Sequence, residues 1–183
     1  MTRLPQLFCN NTLINMSNLE LDAETLYRTL AGQVKAALAG AERLALVGIY
    51  SGGAWLAERL AAELQLDGRL GFIDVSFYRD DYAAKGLPAS VKPTQIGFDV
   101  EGATILLVDD VLYTGRTTRA AINELFDYGR PAKVVLAALV DRGGRELPIA
   151  ADFVAATVAL EKSESLLLQR AADGSFTFSI QHA

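Results

Sequence analysis

The sequence predicts an α/β domain with a mainly parallel sheet, on three observations. Stretches with helical periodicity alternate with short extended ones along the chain. Several extended stretches are apolar throughout, the pattern of strands covered on both faces. At 183 residues, 51% hydrophobic and 21% charged, the chain suits one domain whose core needs no metal or disulfide staple. We therefore expect residues 1–21 to be an N-terminal extension and residues 22–183 a single domain, with no internal repeat or linker.

The elements follow in order. Asp22 is a helix N-cap, and Leu26, Leu30, Val34 and Leu38 recur at four-residue spacing before Gly40. Leu44 to Ile49 is a buried strand. The turn Tyr50-Ser51-Gly52-Gly53 leads into a second helix with Leu56, Leu60 and Leu64 on its buried stripe. Ile73, Val75 and Phe77 alternate with polar residues, which is strand periodicity. From Arg79 to Pro93 the pattern gives way to a long polar loop, of a length that often serves as a lid. Thr94–Phe98 and Ala103–Val108 are extended segments. A helix from about Arg116 to Tyr128 is closed by Gly129, with Pro131 just beyond. Lys133–Val140 and Asp152–Val158 are further strands, and Ser175–Ile180 is a late edge strand.

Composition narrows the chemistry. Cys9 is the only cysteine and His182, next to the last residue, the only histidine. Serine–histidine or cysteine–histidine nucleophiles and histidine-based zinc sites are thereby set aside. A single cysteine fits a reducing compartment. The apolar patch at Leu7-Phe8 is too short for a signal-peptide core, and no apolar run approaches the roughly 18 residues of a membrane span. A cytoplasmic protein is expected. Its net charge of -5 speaks against general nucleic-acid binding, although a local basic patch stays open.

The segment that carries chemistry is Ile105-Leu106-Leu107-Val108-Asp109-Asp110-Val111-Leu112-Tyr113-Thr114-Gly115-Arg116-Thr117-Thr118. A buried strand delivers two carboxylates to its carboxyl end, where open α/β sheets bind ligands. Adjacent carboxylates need hydroxyl donors or a cation, and the vicinal hydroxyls of a ribose are such donors. Downstream, Thr114 to Thr118 enters a helix through a glycine, so open amides, the helix dipole and threonine hydroxyls suit a phosphate. Together they describe a ribose-5-phosphate site. The spacing is not that of a P-loop. A receiver-type acidic pocket also pairs carboxylates, but usually after the first strand and without a phosphate cradle.

This segment resembles the phosphoribosyl-pyrophosphate signature of type I phosphoribosyltransferases. With Phe126-Asp127-Tyr128-Gly129-Arg130-Pro131 and Leu139-Val140-Asp141-Arg142-Gly143-Gly144-Arg145-Glu146-Leu147-Pro148, the chain resembles the bacterial pyrimidine-operon attenuation regulators with uracil phosphoribosyltransferase activity. The resemblance implies a type I phosphoribosyltransferase fold with a hood or flexible loop. It also implies the conversion of uracil and phosphoribosyl pyrophosphate to UMP and pyrophosphate. Asp109, Asp110 and Arg79 would be catalytic. The substrate would be bound by Ser51, Gly52, Gly53 and Arg79, by Asp109, Asp110, Val111, Leu112, Tyr113, Thr114, Gly115, Arg116, Thr117 and Thr118, and by Val140, Asp141 and Arg142 around the uracil. Mg²⁺ would arrive on the substrate, with no direct protein ligands. Tyr113, where purine-salvage relatives usually carry an aspartate, favours a pyrimidine. A homodimer or larger homo-oligomer and UMP-dependent binding of pyrimidine-operon leader RNA are also implied. An attenuation regulator with little catalysis is the alternative.

Two departures bear on these implications. The family's pyrophosphate loop commonly carries Lys-Thr-Arg-Gly where this chain has Tyr50-Ser51-Gly52-Gly53, which removes cations from the substrate's path. RNA-binding members carry basic residues on the first helix, where this chain has Thr29, Gly32, Gln33 and Ala37 beside Arg28 and Lys35, and often a histidine at Gly144. Arg142 and Arg145 are open to three roles: solvated loop charges, inter-subunit ion pairs or RNA contacts.

Overall fold

The computed structural model describes residues 21–75 and 93–182, together with the backbone of Leu13–Asn15. Its centre is a seven-stranded sheet in the order β1-β7-β6-β5-β2-β3-β4. In chain order these strands are β1 (Leu13–Asn15), β2 (Leu44–Ile49), β3 (Leu70–Ile73), β4 (Gln95–Ile96), β5 (Thr104–Leu112), β6 (Lys133–Asp141) and β7 (Phe153–Ala159). Every pairing is parallel except β3 with β4. The predicted α/β class and parallel sheet are borne out. Segment 1–21 contributes β1, which pairs with β7 at one edge.

Helices α1 (Ala23–Leu38) and α2 (Gly52–Leu64) cover one face, and α3 (Arg116–Asp127) covers the other. Period-2 alternation divides each central strand between the two layers. Leu44 and Leu46 of β2, with Leu106 and Val108 of β5, pack toward α1 and α2. Ala45, Val47 and Ile49, with Ile105 and Leu107, pack toward α3. All six residues of β2 are buried, which is why its sequence shows no alternation.

Several boundaries differ from the sequence reading. The third strand is Leu70–Ile73 and not a run through Val75. Its ladder with β2 ends at the Ile49–Ile73 pair, where the Tyr50 amide donates to the Ile73 carbonyl. Phe77 lies outside the described residues, as do Arg79 and the Arg79–Pro93 loop up to residue 92. Strand β5 does not stop at Val108 but continues to Leu112, because β6 goes on pairing with it through Asp141. On α1 the buried stripe is Ala23, Tyr27, Leu30, Ala31 and Val34, with Leu26 and Leu38 only half-buried.

The largest difference lies at the C-terminus. The expected late edge strand is β9 (Phe176–His182), and it does not join the main sheet. It pairs antiparallel with β8 (Glu164–Arg170), which the sequence reading passed over. This hairpin is fastened to α1 and α2. Leu166, Leu168 and Phe176 enter the core, and the Phe176 amide donates to Glu24 Oε1 at 2.8 Å. Arg59 donates to both Glu24 oxygens at 2.8 and 2.9 Å, and its guanidinium lies 4.2 Å from the Tyr27 ring centre. That hydrogen-bonded arginine holds the Glu24 carboxyl below the usual glutamate range. Arg170 adds an ion pair to Glu58 at 2.6 Å. The hairpin therefore stands as a fixed wall at the carboxyl end of the sheet.

Candidate functional site

Two helix starts face the carboxyl ends of the parallel strands, and in neither does the N-cap residue's side chain hold an amide, although the Arg116 amide of α3 donates to Thr114 Oγ1 at 3.3 Å. Of the three α-helices described, α1 has Asp22 accepting from the Glu24 amide at 3.1 Å and an acid in its first turn. By contrast, α2 begins after Ser51, whose side chain makes no capping bond, and α3 begins after Gly115, which has no side chain to cap with. Neither α2 nor α3 has an acidic residue in its first turn. First-turn amides without an internal acceptor, at the positive end of a helix dipole, are suited to anions.

Close packing brings these starts to the acids. A Cβ on Gly53 would lie 2.9 Å from Asp109 Cα and nearer still to the Val108 carbonyl oxygen. A Cβ on Gly52 would lie 2.8 Å from Asp110 Cβ and against its carboxylate. A Cβ on Gly48 would lie 2.6 Å from Ala54 Cα. These three glycines let α2 rest on the backbone of β2 and β5 with Asp110 over its first turn. Gly52 and Gly53 thus belong to the helix and not to the turn before it, as the sequence reading had placed them. The Tyr50–Ser51 peptide at the entrance is cis.

Asp109 and Asp110 sit inside β5, three and two residues before its end. Asp109 is buried and accepts from the Asp110 amide at 3.0 Å, while Asp110 is half-buried. Beyond them, Gly115 takes the left-handed φ of +90°, and a Cβ there would meet Ile149 Cβ at 3.0 Å. The segment after β6 closes over this turn, with the Glu146 and Leu147 amides donating to the Thr114 carbonyl at 3.0 and 3.1 Å.

Two adjoining cavities result. The smaller, of about 390 Å³, is bounded by Asp109, by every residue from Val111 to Thr118, and by Glu146. Thr118 Oγ1 is buried without a hydrogen-bond partner among the described residues, as expected of a hydroxyl that a ligand satisfies. The larger, of about 600 Å³, brings together Ser51, Gly52, Asp109, Asp110, Val111, Tyr113, Thr117 and Arg142. Asp109, Val111, Tyr113 and Thr117 face both.

Most residues predicted for the site therefore converge. Gly53 and Val140 are buried behind the cavities as packing, and Asp141 is turned to the Gly143 amide at 2.8 Å and to Arg145. Arg79 lies outside the described residues. Sequence reasoning missed the opposite wall of the larger cavity, Lys162 to Gln169 with Gln181, and also Trp55, while Tyr50 lines it as expected of the pyrophosphate loop. The apolar triplet Leu166-Leu167-Leu168 was the available signal for β8, but it is too short to separate from a loop. Burial, helped by Glu58 and Asp74, raises the pKa of the Tyr50 phenol, so Tyr50 presents a neutral hydroxyl there at neutral pH.

The two arginines have definite places. Arg145 is an intrachain staple. It donates to the Tyr113 carbonyl, the Asp141 carboxylate and the Ile149 carbonyl, the last at 3.0 Å. Arg142 stacks on Tyr113 with 4.0 Å between guanidinium carbon and ring centre, and donates to the Glu161 carbonyl at 3.2 Å. At its Cδ2–Cε2 edge the Tyr113 ring leaves no room at Gly144, where a Cβ would lie 3.0 Å from Cδ2 and closer to Cε2. Tyr113 thus packs against both Arg142 and Gly144, and a side chain at residue 144 would compete with it.

Comparison with known proteins agrees with this geometry. Residues 17–161 match the phosphoribosyl transferase domain. The chain is 53% identical over 169 residues to the bifunctional protein PyrR of Ralstonia nicotianae, covering 90% of this chain and 97% of that one. It is 47% identical to the bifunctional protein PyrR of Nitrosococcus oceani, covering 88% and 93% of the two chains. Among solved structures, the hypoxanthine phosphoribosyltransferase of Trypanosoma cruzi superposes with a TM-score of 0.61 over 88% of this chain and 95% of that one, at 20% identity, a likeness of fold alone. The type I phosphoribosyltransferase fold expected from the sequence is borne out, and so is the family. The chain belongs to the phosphoribosyl transferase domain family, among the bifunctional PyrR proteins.

Proposed function

We propose that the protein is a uracil phosphoribosyltransferase, converting uracil and phosphoribosyl pyrophosphate to UMP and pyrophosphate. The observation that carries this is the convergence of Asp109 and Asp110 with the Thr114–Thr118 helix start on adjoining cavities. In this reading the smaller cavity takes the 5-phosphate, through the α3 amides and the Thr114, Thr117 and Thr118 hydroxyls. The acids accept from the ribose hydroxyls. The bare start of α2 takes pyrophosphate through Ser51 and Gly52, whose amides stand in for the cations this loop lacks.

The pyrophosphate oxygen leaves with the bonding pair, positive charge develops on the anomeric carbon, and uracil N1 bonds to that carbon and loses its proton. Carboxylates below the ribose stabilise the developing cation, and the hairpin wall Lys162–Gln169 excludes water from it. No group of three metal-ligating side chains occurs among the described residues. Mg²⁺ carried by the substrate's pyrophosphate and ribose hydroxyls, the latter held by Asp109 and Asp110, would neutralise charge on the leaving group. Uracil would meet the main chain of residues 140–142 beside Tyr113.

The word bifunctional in the relatives' names favours a second role, UMP-dependent binding of pyrimidine-operon leader RNA. With Arg145 engaged within the chain, Arg28 and Lys35 of α1 are exposed basic groups that remain for it. Formation of UMP from uracil, phosphoribosyl pyrophosphate and Mg²⁺ tests the enzyme, and Asp109→Asn with Asp110→Asn should weaken phosphoribosyl pyrophosphate binding at least tenfold. No UMP above background, or unchanged affinity in the double variant, rejects the reading. A gel shift with leader RNA, with and without UMP, tests the second role.

A further inference from the structure

The smaller cavity contains a group that an anion site should not welcome. Glu146 is one of its lining residues, and its carboxylate pairs with Arg116 Nε at 2.8 Å. Arg116 is the first residue of α3, next to the amides that would hold a phosphate. The pair is well exposed, at 43% and 52% for the two side chains, so it adds little to the stability of the fold. The backbone of Glu146 already fastens this segment to the Thr114 carbonyl, so the carboxylate is not needed for that.

We propose that Glu146 is a positioning residue that limits the cradle's affinity for phosphate, a reading that rests on the assignment of this cavity to the 5-phosphate. Its carboxylate acts twice in the same direction. It holds the Arg116 guanidinium in an ion pair and away from the anion, and it adds a negative charge to the cavity wall. Substrate and nucleotide product share one phosphate site, so a cradle that held phosphate too firmly would slow product departure, often the limiting step of such enzymes. A restrained arginine keeps the site selective for phosphate while letting the nucleotide leave.

The test compares UMP with uridine, which differ only in the phosphate, by calorimetry on the full chain. Glu146→Gln should tighten UMP roughly three- to tenfold at moderate ionic strength, leave uridine unchanged, and steepen the salt dependence of UMP binding. In an Arg116→Gln background the same change should give a smaller gain, because only the wall charge is then removed. A thermal unfolding midpoint measured alongside shows that the variant is folded. UMP binding that is unchanged or weaker in folded Glu146→Gln overturns the proposal, as does equal tightening of uridine. If wild-type protein binds UMP no better than uridine, the phosphate assignment itself falls. If wild type prefers UMP and Glu146→Gln does not raise that preference, the role of Glu146 falls alone.

Discussion

Gly52 and Gly53 are adjacent, yet alanine at each should fail differently. At Gly53 the new methyl carbon would sit 2.9 Å from Asp109 Cα, with the Val108 carbonyl nearer still. Ordinary carbon–carbon contacts lie at about 3.5–4.0 Å, so α2 must retreat from β5 by roughly 0.6–1 Å. Backbone cannot rotate out of the way. The retreat loosens a layer in which Ala54, Leu56, Ala57 and Leu60 are almost fully buried, and overpacking of this kind costs about 1–3 kcal/mol. For a domain of this size that lowers the unfolding midpoint by roughly 2–12 °C. At Gly52 the obstacle is Asp110: its carboxylate, with Cγ 2.5 Å away, can swing aside, whereas its Cβ at 2.8 Å moves only with the strand. The expected thermal loss is therefore of the same order, about 1–3 kcal/mol, and the displaced carboxylate should in addition lower kcat/KM for phosphoribosyl pyrophosphate by about a hundredfold. Differential scanning calorimetry and initial-rate kinetics on both variants separate the two. A Gly52→Ala enzyme with unaltered kcat/KM, or a Gly53→Ala protein with an unchanged unfolding midpoint, would refute this account of the glycines.

Two further expectations follow from the surroundings of the site. Gly144→Ala should cost about 1–3 kcal/mol, because φ is +68° and the Tyr113 ring occupies the space, whereas Gly143→Ala, at φ +71° with nothing within 4 Å, bears the backbone strain alone. Equal losses in the unfolding midpoints would mean that the ring contact is unimportant. Glu24→Gln should lower stability by about 1–2 kcal/mol at neutral pH through lost bonds to Arg59 and the Phe176 amide. The Glu24 carboxyl is depressed in the folded state, so its contribution is present above the usual value of 4.5 and fades as pH falls through the lower folded value. Unfolding midpoints of wild type and variant should therefore converge below about pH 4.5, and a gap that stayed constant through the acid range would contradict the assignment.

Much of this arrangement was legible in the residues because it is local. An all-apolar run such as Leu44–Ile49 fits a strand buried on both faces, and α3 is bracketed by Gly115 and Gly129. The acids and the threonines lie nine residues apart or fewer, so one strand and one helix start bring them together without help from distant chain. What was not legible depends on partners remote in sequence. Strand β3 stops at Ile73 because β2 stops beside it, and nothing within Ile73–Phe77 itself reports that. The β8–β9 hairpin is a separate sheet because Glu24 and Arg59, more than a hundred residues earlier, hold Phe176 in place. Arg145 reads as a surface charge until the chain is folded and its acceptors, Tyr113 just after β5 and Asp141 at the end of β6, come within reach.

The same distinction explains the role of Gly52-Gly53. Read along the chain, the pair is a flexible turn that has lost the family's cations, which suggests a weakened substrate site. In the fold it is the first turn of a helix pressed against the strand that carries the acids. In the family's Lys-Thr-Arg-Gly the arginine falls at residue 52 and the glycine at 53; a side chain at 52 would carry its Cβ into Asp110, so this packing excludes the family's arginine, while Tyr50 takes the lysine's place. The loss of the arginine and the closeness of α2 to β5 are thus two consequences of one choice. Shortening the distance between helix amides and carboxylates strengthens dipole–anion interactions, which fall off within the first turn of a helix. A site built this way would hold pyrophosphate through backbone, and its affinity should fall with salt less steeply than that of a relative whose loop carries lysine and arginine.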